Sequence, residues 1–236
     1  MPTIADPARA AAGALAAASA VVLAACAAGP FFRVERISVA GAHHTTVDAI
    51  VSAAGLTGTP TFSASAALAR RQLSRLPGVR EAEVEIALPD EARITLHERV
   101  AIGRWVAGGL EWFVDADGVL FPSIDPRAAP DVRVSDERGA RTAGERLDPA
   151  LVDAALKLAR LRPEDLRADA TSPRAVLAAG PNGLVLRTAA WEIRFGGAER
   201  IDEKIALARR FLRENPQRKL DYLDVRTPDS IVVSPR

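Results

Sequence analysis

The alternation of apolar and polar residues predicts a small α+β domain in the first half of the chain. Read in order, the pattern predicts strand, helix, helix, strand and strand over residues 33–39, 46–55, 65–76, 79–88 and 94–96. Thr45 or Thr46, and later Ser65, stand where helix N-caps are expected. A turn at Pro89-Asp90 joins the last two strands into a hairpin.

The residue pattern in the second half of the chain predicts a β-rich domain with two helices. Asp148-Pro149 is a favourable helix start because proline suits the first helical position, and an apolar face runs from there to about residue 161. Residues 199–213 predict a second helix, whereas residues 122–141 have little periodicity and predict a loop. Strands are predicted over residues 174–178, 184–187, 191–195 and 230–234. The predicted fold class is therefore α+β, with an antiparallel sheet and flanking helices in this half.

An uncharged segment precedes both domains. The 23 residues between Arg9 and Arg33 carry no charge, although most of their apolar content is alanine. As a helix, such a segment would extend about 34 Å, which is enough to cross a bilayer core. We therefore predict a single transmembrane helix at residues 10–30 after a cytoplasmic tail of residues 1–9, with the body of the chain on the extracytoplasmic side.

Two other interpretations of this segment stay open. It resembles a cleaved secretory signal, whose positive region would hold only Arg9 and the α-amine. Leu23-Ala24-Ala25-Cys26 also resembles a bacterial lipobox, in which the cysteine carries the lipid. All three interpretations place the body of the chain outside the cytoplasm, whereas a buried helix of a cytosolic protein would not.

Composition and charge argue against several classes of function. The chain has 31 basic and 30 acidic residues, for a formal net charge of +1, so no basic face is indicated for nucleic acid. Its one cysteine, Cys26, and its three histidines, His43, His44 and His97, lack the spacing of a zinc site. We therefore expect no metal, no cofactor and no small-molecule substrate.

No motif with catalytic chemistry is present in the sequence. There is no nucleophile elbow and no phosphate-binding loop. Asp115-x-Asp117-Gly118 opens like a calcium loop, but positions six and twelve are Leu120 and Pro126 where glycine and glutamate are required. This segment is therefore predicted to be a hairpin turn, and the protein is expected to be non-catalytic.

Short motifs give the chain a resemblance to known exported proteins. The first domain resembles a POTRA domain in its opening strand, its helix-to-strand junction and its closing hairpin, at residues 32–41 (FRVERISVAG), 73–79 (LSRLPGV) and 94–99 (ITLHER). The second half resembles the FtsQ/DivIB family of bacterial division proteins at residues 111–121 (EWFVDADGVLF), 191–196 (WEIRFG) and 222–226 (YLDVR). Residues 101–105 (AIGRW) lack the proline typical of the family. The resemblance covers roughly residues 12 to 235.

The resemblance implies both a domain organisation and a function. It implies a POTRA domain at residues 31–99 and an FtsQ/DivIB-like β domain at residues 100–236. A protein of this family is expected to act as a non-catalytic divisome scaffold at the division septum. Its expected partners are small bitopic division proteins of the FtsB and FtsL type, bound from the extracytoplasmic side.

The last predicted strand is the candidate binding element. Its β-branched run at residues 230–234 would accept a partner strand if it lay at a sheet edge, and would not if both its neighbours were present. Since the family recruits its partners through C-terminal strands, the resemblance favours the edge. It implies backbone-dominated partner contacts at Arg226, Thr227, Ile231, Val232, Val233 and Ser234.

Two alternative functions stay open from the sequence. POTRA domains also occur in outer-membrane assembly and secretion factors, but those carry a long barrel, for which the residues after Arg99 contain too few strands. An exported enzyme or lipoprotein acting on the cell envelope would require an acid and base pair, and no pair of carboxylates stands out.

Overall fold

The computed structural model describes residues 7–122, 125, 130–167 and 174–235. The chain divides into two compact units between Glu98 and Arg99. The first unit contains α1 (Pro7–Ala28), β1 (Arg36–Ala40), α2 (Val47–Ala54), α3 (Ala66–Leu73), β2 (Val79–Ala87) and β3 (Glu91–Glu98). After α1, this is the predicted order of strand, helix, helix, strand and strand.

The prediction of a transmembrane helix at residues 10–30 is wrong. Helix α1 is 22 residues long, yet no helix in the described part of the chain is both long and apolar enough to cross a membrane. The physical reason is composition, because alanine has a single methyl group and contributes little transfer free energy per residue. The side chain of Cys26, on which the lipobox interpretation depends, lies outside the described residues.

The sheet of the first unit is small and covered by helices on one face. Its strand order is β1-β3-β2, with β1 parallel and β2 antiparallel to the central β3. Thr46 and Ser65 cap the two helices as predicted, since their side chains accept hydrogen bonds from the backbone N–H groups of Ala49 and Leu68. The core between the sheet and the helices includes Val34, Ile50, Leu73, Ile94 and Leu96.

Acidic side chains mark β2, one of the two outer strands of this small sheet. Glu81, Glu83 and Glu85 alternate along β2 and are all exposed. Charged residues along an edge strand disfavour the approach of a further strand, because the partner would have to desolvate them. The β2 edge of the first unit is therefore protected against strand addition.

The carboxylate of Glu98 fixes the loop that leads into α2. It accepts hydrogen bonds from the backbone N–H groups of His43, His44 and Thr45, at 2.7, 2.6 and 3.0 Å. Three backbone donors converging on one carboxylate form an anion-binding nest. The two histidines thus contribute their backbone N–H groups to this loop.

The second unit is a nine-stranded sheet with two helices against one face. Its elements are β4 (Gly103–Ala107), β5 (Leu110–Val114), β6 (Leu120–Phe121), β7 (Arg133–Asp136), α4 (Pro149–Ala159), β8 (Arg174–Ala179), β9 (Gly183–Thr188), β10 (Glu192–Gly196), α5 (Ile201–Glu214), β11 (Leu220–Asp224) and β12 (Val232–Pro235). The strand order is β12-β11-β10-β9-β8-β7-β4-β5-β6. Helix α4 packs on β7, β8 and β9, and α5 packs on β10.

The predicted antiparallel sheet is in fact mixed. Strand β7 is parallel to both β4 and β8, and β10 is parallel to β11. Strand β7 lies within residues 122–141, for which the sequence predicts a loop, because the four residues of β7 are too few to show a period of two. Three of them carry polar side chains, and only Val134 enters the core that contains Trp105 and Phe195.

A buried carboxylate joins β7 to its neighbours. Asp136 accepts hydrogen bonds from Trp105 Nε1 at 3.0 Å, from Arg138 Nε at 2.9 Å and from Arg141 Nε at 3.2 Å. Burial alone would raise the pKa of Asp136, but the hydrogen bonds from Arg138 and Trp105 outweigh it and lower this pKa to about 2. Asp136 is therefore ionised at neutral pH and fully paired.

A buried lysine performs a similar role on α5. The Lys204 side chain is 0% exposed, and its Nζ donates to the carbonyl oxygen of Gly197 at 3.0 Å and to Glu199 Oε1 at 2.9 Å. The hydrogen bond from Lys204 lowers the pKa of Glu199. This pair of bonds ties the start of α5 to the end of β10.

Candidate strand-addition site at the sheet edge

Strand β12 lies at one edge of the large sheet. It pairs with β11 in antiparallel register, which places Val232, Val233 and Ser234 opposite Asp224, Leu223 and Tyr222. Within the described residues, no strand lies on its other side. The outer edge of β12 therefore presents backbone N–H and C=O groups of the kind that accept an added strand.

The opposite edge of the sheet is covered. Strand β6 has only two residues, and both are buried. The Leu120 N–H donates to the carbonyl oxygen of Glu145 at 2.9 Å, and the Gly144 N–H donates to the carbonyl oxygen of Leu120 at 2.7 Å. The loop that carries Gly144 and Glu145 thus occupies the backbone of β6, which leaves β12 as the open edge.

The side chains of β12 alternate between the core and solvent. Ile231 and Val233 are partly buried and pack against the main core, whereas Val232 is 55% exposed. A shift of β12 by one residue would exchange these two faces, so the core contacts fix its register. The outer backbone is therefore held in a defined position without a partner.

Arg226 and Thr227 lie in the turn between β11 and β12. The Arg226 guanidinium binds Asp224, with 2.7 Å between Nη2 and Oδ2, and its backbone N–H donates to Oδ1 at 3.0 Å. Burial alone would raise the pKa of Asp224, but the hydrogen bonds from Arg226 outweigh it and lower this pKa. The carbonyl oxygen of Thr227 accepts from the Ser230 N–H at 3.2 Å. The structure thus brings the six predicted site residues together along one turn and one strand.

Two further residues lie beside this strand, and the sequence does not single them out. Tyr222 lies opposite Ser234, and the guanidinium of Arg194 stacks on the Tyr222 ring at 4.0 Å from its centroid. Arg194 is also paired with Glu192 at 2.8 Å. The alternation along β10 places Glu192 and Arg194 on one face. Arg194 reaches Tyr222 through the parallel pairing of β10 and β11, which the sequence does not indicate, whereas Tyr222 lies beside β12 through the pairing of β11 and β12.

The carboxylate of Asp115 holds the turn that joins β5 to β6. It accepts hydrogen bonds from the backbone N–H groups of Asp117 at 3.0 Å and Val119 at 2.8 Å, and it pairs with Arg99 Nη1 at 2.6 Å. These bonds form the hairpin turn predicted for Asp115-x-Asp117-Gly118. Across the described ranges, no group of three or more His, Cys, Asp or Glu side chains is placed to hold a metal ion.

Comparisons with known proteins agree with this architecture. Residues 32–99 match the profile of the FtsQ-type POTRA domain. The chain is 30% identical over 198 residues to the cell division protein FtsQ of Chloroflexus aurantiacus, covering 83% of this chain and 71% of that protein. The FtsQ of Chloroflexus aggregans gives the same identity and coverage, and that of Caulobacter vibrioides is 26% identical over 215 residues, covering 87% of this chain and 65% of that protein. On these grounds the chain belongs to the FtsQ family of cell division proteins.

Proposed function

We propose that this protein is a non-catalytic scaffold of the division septum that binds small bitopic division proteins of the FtsB and FtsL type. The partner adds a strand to the outer edge of β12. The observation that carries this proposal is the open edge of the nine-stranded sheet at β12, which contains Val232, Val233 and Ser234, three of the six residues for which the family resemblance implies partner contact.

Backbone pairing is the main source of binding at such an edge. An added strand gains hydrogen bonds from the β12 backbone, and its alternate side chains meet Val232 and Ser234 on the solvent face. Because β12 is already anchored through Ile231 and Val233, little conformational entropy is lost when the partner binds.

The two units offer different edges to a partner. Strand β2 carries three exposed glutamates, whereas β12 carries no charged residue from Val232 to Pro235. Desolvation of the glutamates would oppose strand addition at β2. This contrast supports assigning partner binding to β12 and not to β2.

A charge at β12 should weaken the partner complex. In pull-downs from solubilised membranes with the full chain as bait, we expect Val232→Glu to lower recovery of small coiled-coil bitopic proteins about tenfold, because the carboxylate must be desolvated beside the added strand. A chain ending at Pro228 should recover none.

A matched control separates this effect from loss of folding. Val47 is 52% exposed at the start of α2 in the first unit, where a glutamate favours the helix dipole. Val47→Glu should recover the partners as the unmodified chain does, and both variants should keep its unfolding temperature. Equal recovery by Val232→Glu and the unmodified chain would contradict the proposed edge, and recovery of no bitopic protein by the unmodified chain would contradict the scaffold itself.

A further inference from the structure

An open cleft lies at the other end of β10 and β11 from Arg226. Its volume is about 430 Å³, and it is lined by Arg167, Ala190, Trp191, Arg218, Lys219 and Leu220. Trp191 directly precedes β10, and Lys219 directly precedes β11. Because these two strands are parallel, both residues lie at the same end of the sheet.

Positive charge is concentrated in this cleft. Three of its six described lining residues are cationic and none is acidic. Nearby cations of α5 are neutralised, since Arg209 pairs with Asp165 and Arg210 pairs with Glu214, each at 2.8 Å. Among the described residues, no carboxylate lies within ion-pair distance of Arg218 or Lys219. The cleft therefore has cations available for an anionic ligand.

Arg167 positions one wall of the cleft. Its guanidinium donates to the carbonyl oxygens of Asn215 and Arg218, the latter at 3.0 Å, and lies 5.6 Å from the centre of the Trp191 ring. Its backbone is left-handed, with φ at +50°. Burial lowers the pKa of Arg167, which reflects a cation removed from water. An anion bound in the cleft would stabilise the partly buried Arg167 cation, because opposite charges attract more strongly where there is less water.

Part of the cleft lining is apolar. Ala190 and the half-buried Trp191 offer a surface on which an apolar group can pack beside the cations, whereas Leu220, which also lines the cleft, is buried. We propose that this cleft binds an acidic segment of a polypeptide, with its carboxylates on Arg218 and Lys219 and its apolar atoms on Trp191.

The position of the cleft favours a peptide over free phosphate. Leu220 pairs with Pro235 of β12, so a polypeptide lying along the β12 edge runs toward this end of the sheet. Neighbouring strands are about 4.8 Å apart, which puts an added strand about 10 Å from Leu220, a distance that about three extended residues cross. In this respect the inference rests on the proposed function.

The test uses the full chain and a fluorescein-labelled tetraglutamate peptide, with binding measured by anisotropy. The double variant Arg218→Ala/Lys219→Ala should bind the peptide about tenfold more weakly, since two exposed ion pairs are lost. The matched control is Arg210→Ala, which removes a neighbouring cation already paired with Glu214 and should leave the affinity unchanged. Tetraglutamine should not bind.

Other outcomes would overturn the inference. Absence of tetraglutamate binding, or equal weakening by Arg210→Ala and the double variant, would show that the cleft has no specific role. Binding of inorganic phosphate or of phosphatidylglycerol vesicles without binding of tetraglutamate would assign the cations to phosphate. Val232→Glu should leave tetraglutamate binding unchanged, so a failure at the β12 edge and a failure at the cleft can be distinguished.

Discussion

Replacing Asp136 with asparagine should destabilise the second unit by about 3–5 kcal/mol, because it removes the buried carboxylate that pairs with Arg138 and leaves Arg141 with Glu145 alone. The side chain is fully buried and accepts hydrogen bonds from three side chains, Trp105, Arg138 and Arg141. An amide at this position would turn N–H groups toward those donors. Denaturant unfolding followed by tryptophan fluorescence measures the loss.

The same substitution should change the response of stability to pH. The pKa of Asp136 is about 2 in the folded chain and about 3.9 in an unfolded one, so its contribution of about 2 kcal/mol is present above pH 4 and is lost as the pH falls from about 4 to about 2. Asp136→Asn should remove this part of the acid dependence. As a control, Asp153→Asn, at an exposed pair with Lys157, should change stability by less than about 1 kcal/mol. An equal loss in both variants would contradict the assigned role of Asp136.

Replacing Lys204 with alanine should destabilise the second unit by about 3 kcal/mol, because it leaves a cavity and removes the donor to the Gly197 carbonyl oxygen. The pKa of Glu199 should rise toward its ordinary value, since the hydrogen bond that lowers it is lost. Denaturant unfolding measures the first effect, and an NMR titration of Glu199 measures the second.

Lys157 provides the matched control for Lys204. It is a lysine on α4 whose ammonium contacts two exposed carboxylates, Asp153 and Asp202, at 3.2 and 3.0 Å. Exposed pairs of this kind contribute little to stability because water and salt screen them, so Lys157→Ala should leave the free energy of unfolding nearly unchanged. An unchanged free energy of unfolding in the Lys204→Ala variant, or an unchanged pKa of Glu199, would show that the buried lysine does not tie α5 to β10.

Much of the fold follows from local patterns in the sequence. Thr46 and Ser65 cap the helices of the first unit, Asp148-Pro149 starts α4, and the turn at Asp115 joins two strands. Each depends on hydrogen bonds between residues that are close together in the sequence. Interactions between neighbouring residues are therefore sufficient to predict these helix starts and this turn.

The sequence-based predictions differ from the structure at elements whose conformation or environment depends on long-range contacts or on residue composition. Strand β7 is held by β4, β8 and the hydrogen bonds to Asp136, none of which is visible in a four-residue window. The length and lack of charge of α1 suggested a membrane span, but its alanine content makes it too weakly apolar. Tyr222 reaches the candidate site through its pairing with Ser234, and Arg194 reaches it through the parallel register of β10 and β11.

The residues of the candidate site were predicted from the sequence and the family resemblance, whereas their position at a sheet edge is known only from the structure. Residues 226–234 have few distinctive side chains, so the sequence alone left an edge strand and a buried strand equally open. The strand order places β12 at one edge of the sheet. At the opposite edge, a loop already occupies the backbone of β6, so β12 is the edge at which a strand can be added. The proposed function therefore depends on partner binding at that edge.

Amide hydrogen exchange on β12 detects such binding residue by residue. The measurement compares the full chain alone with the full chain bound to the bitopic protein that it recovers from membranes. We expect the amides of residues 231–234 that do not bond to β11 to exchange rapidly in the free chain and to become protected in the complex, while the β2 amides of the first unit stay unchanged. A stable complex in which the exchange of β12 is unaltered would contradict strand addition at this edge.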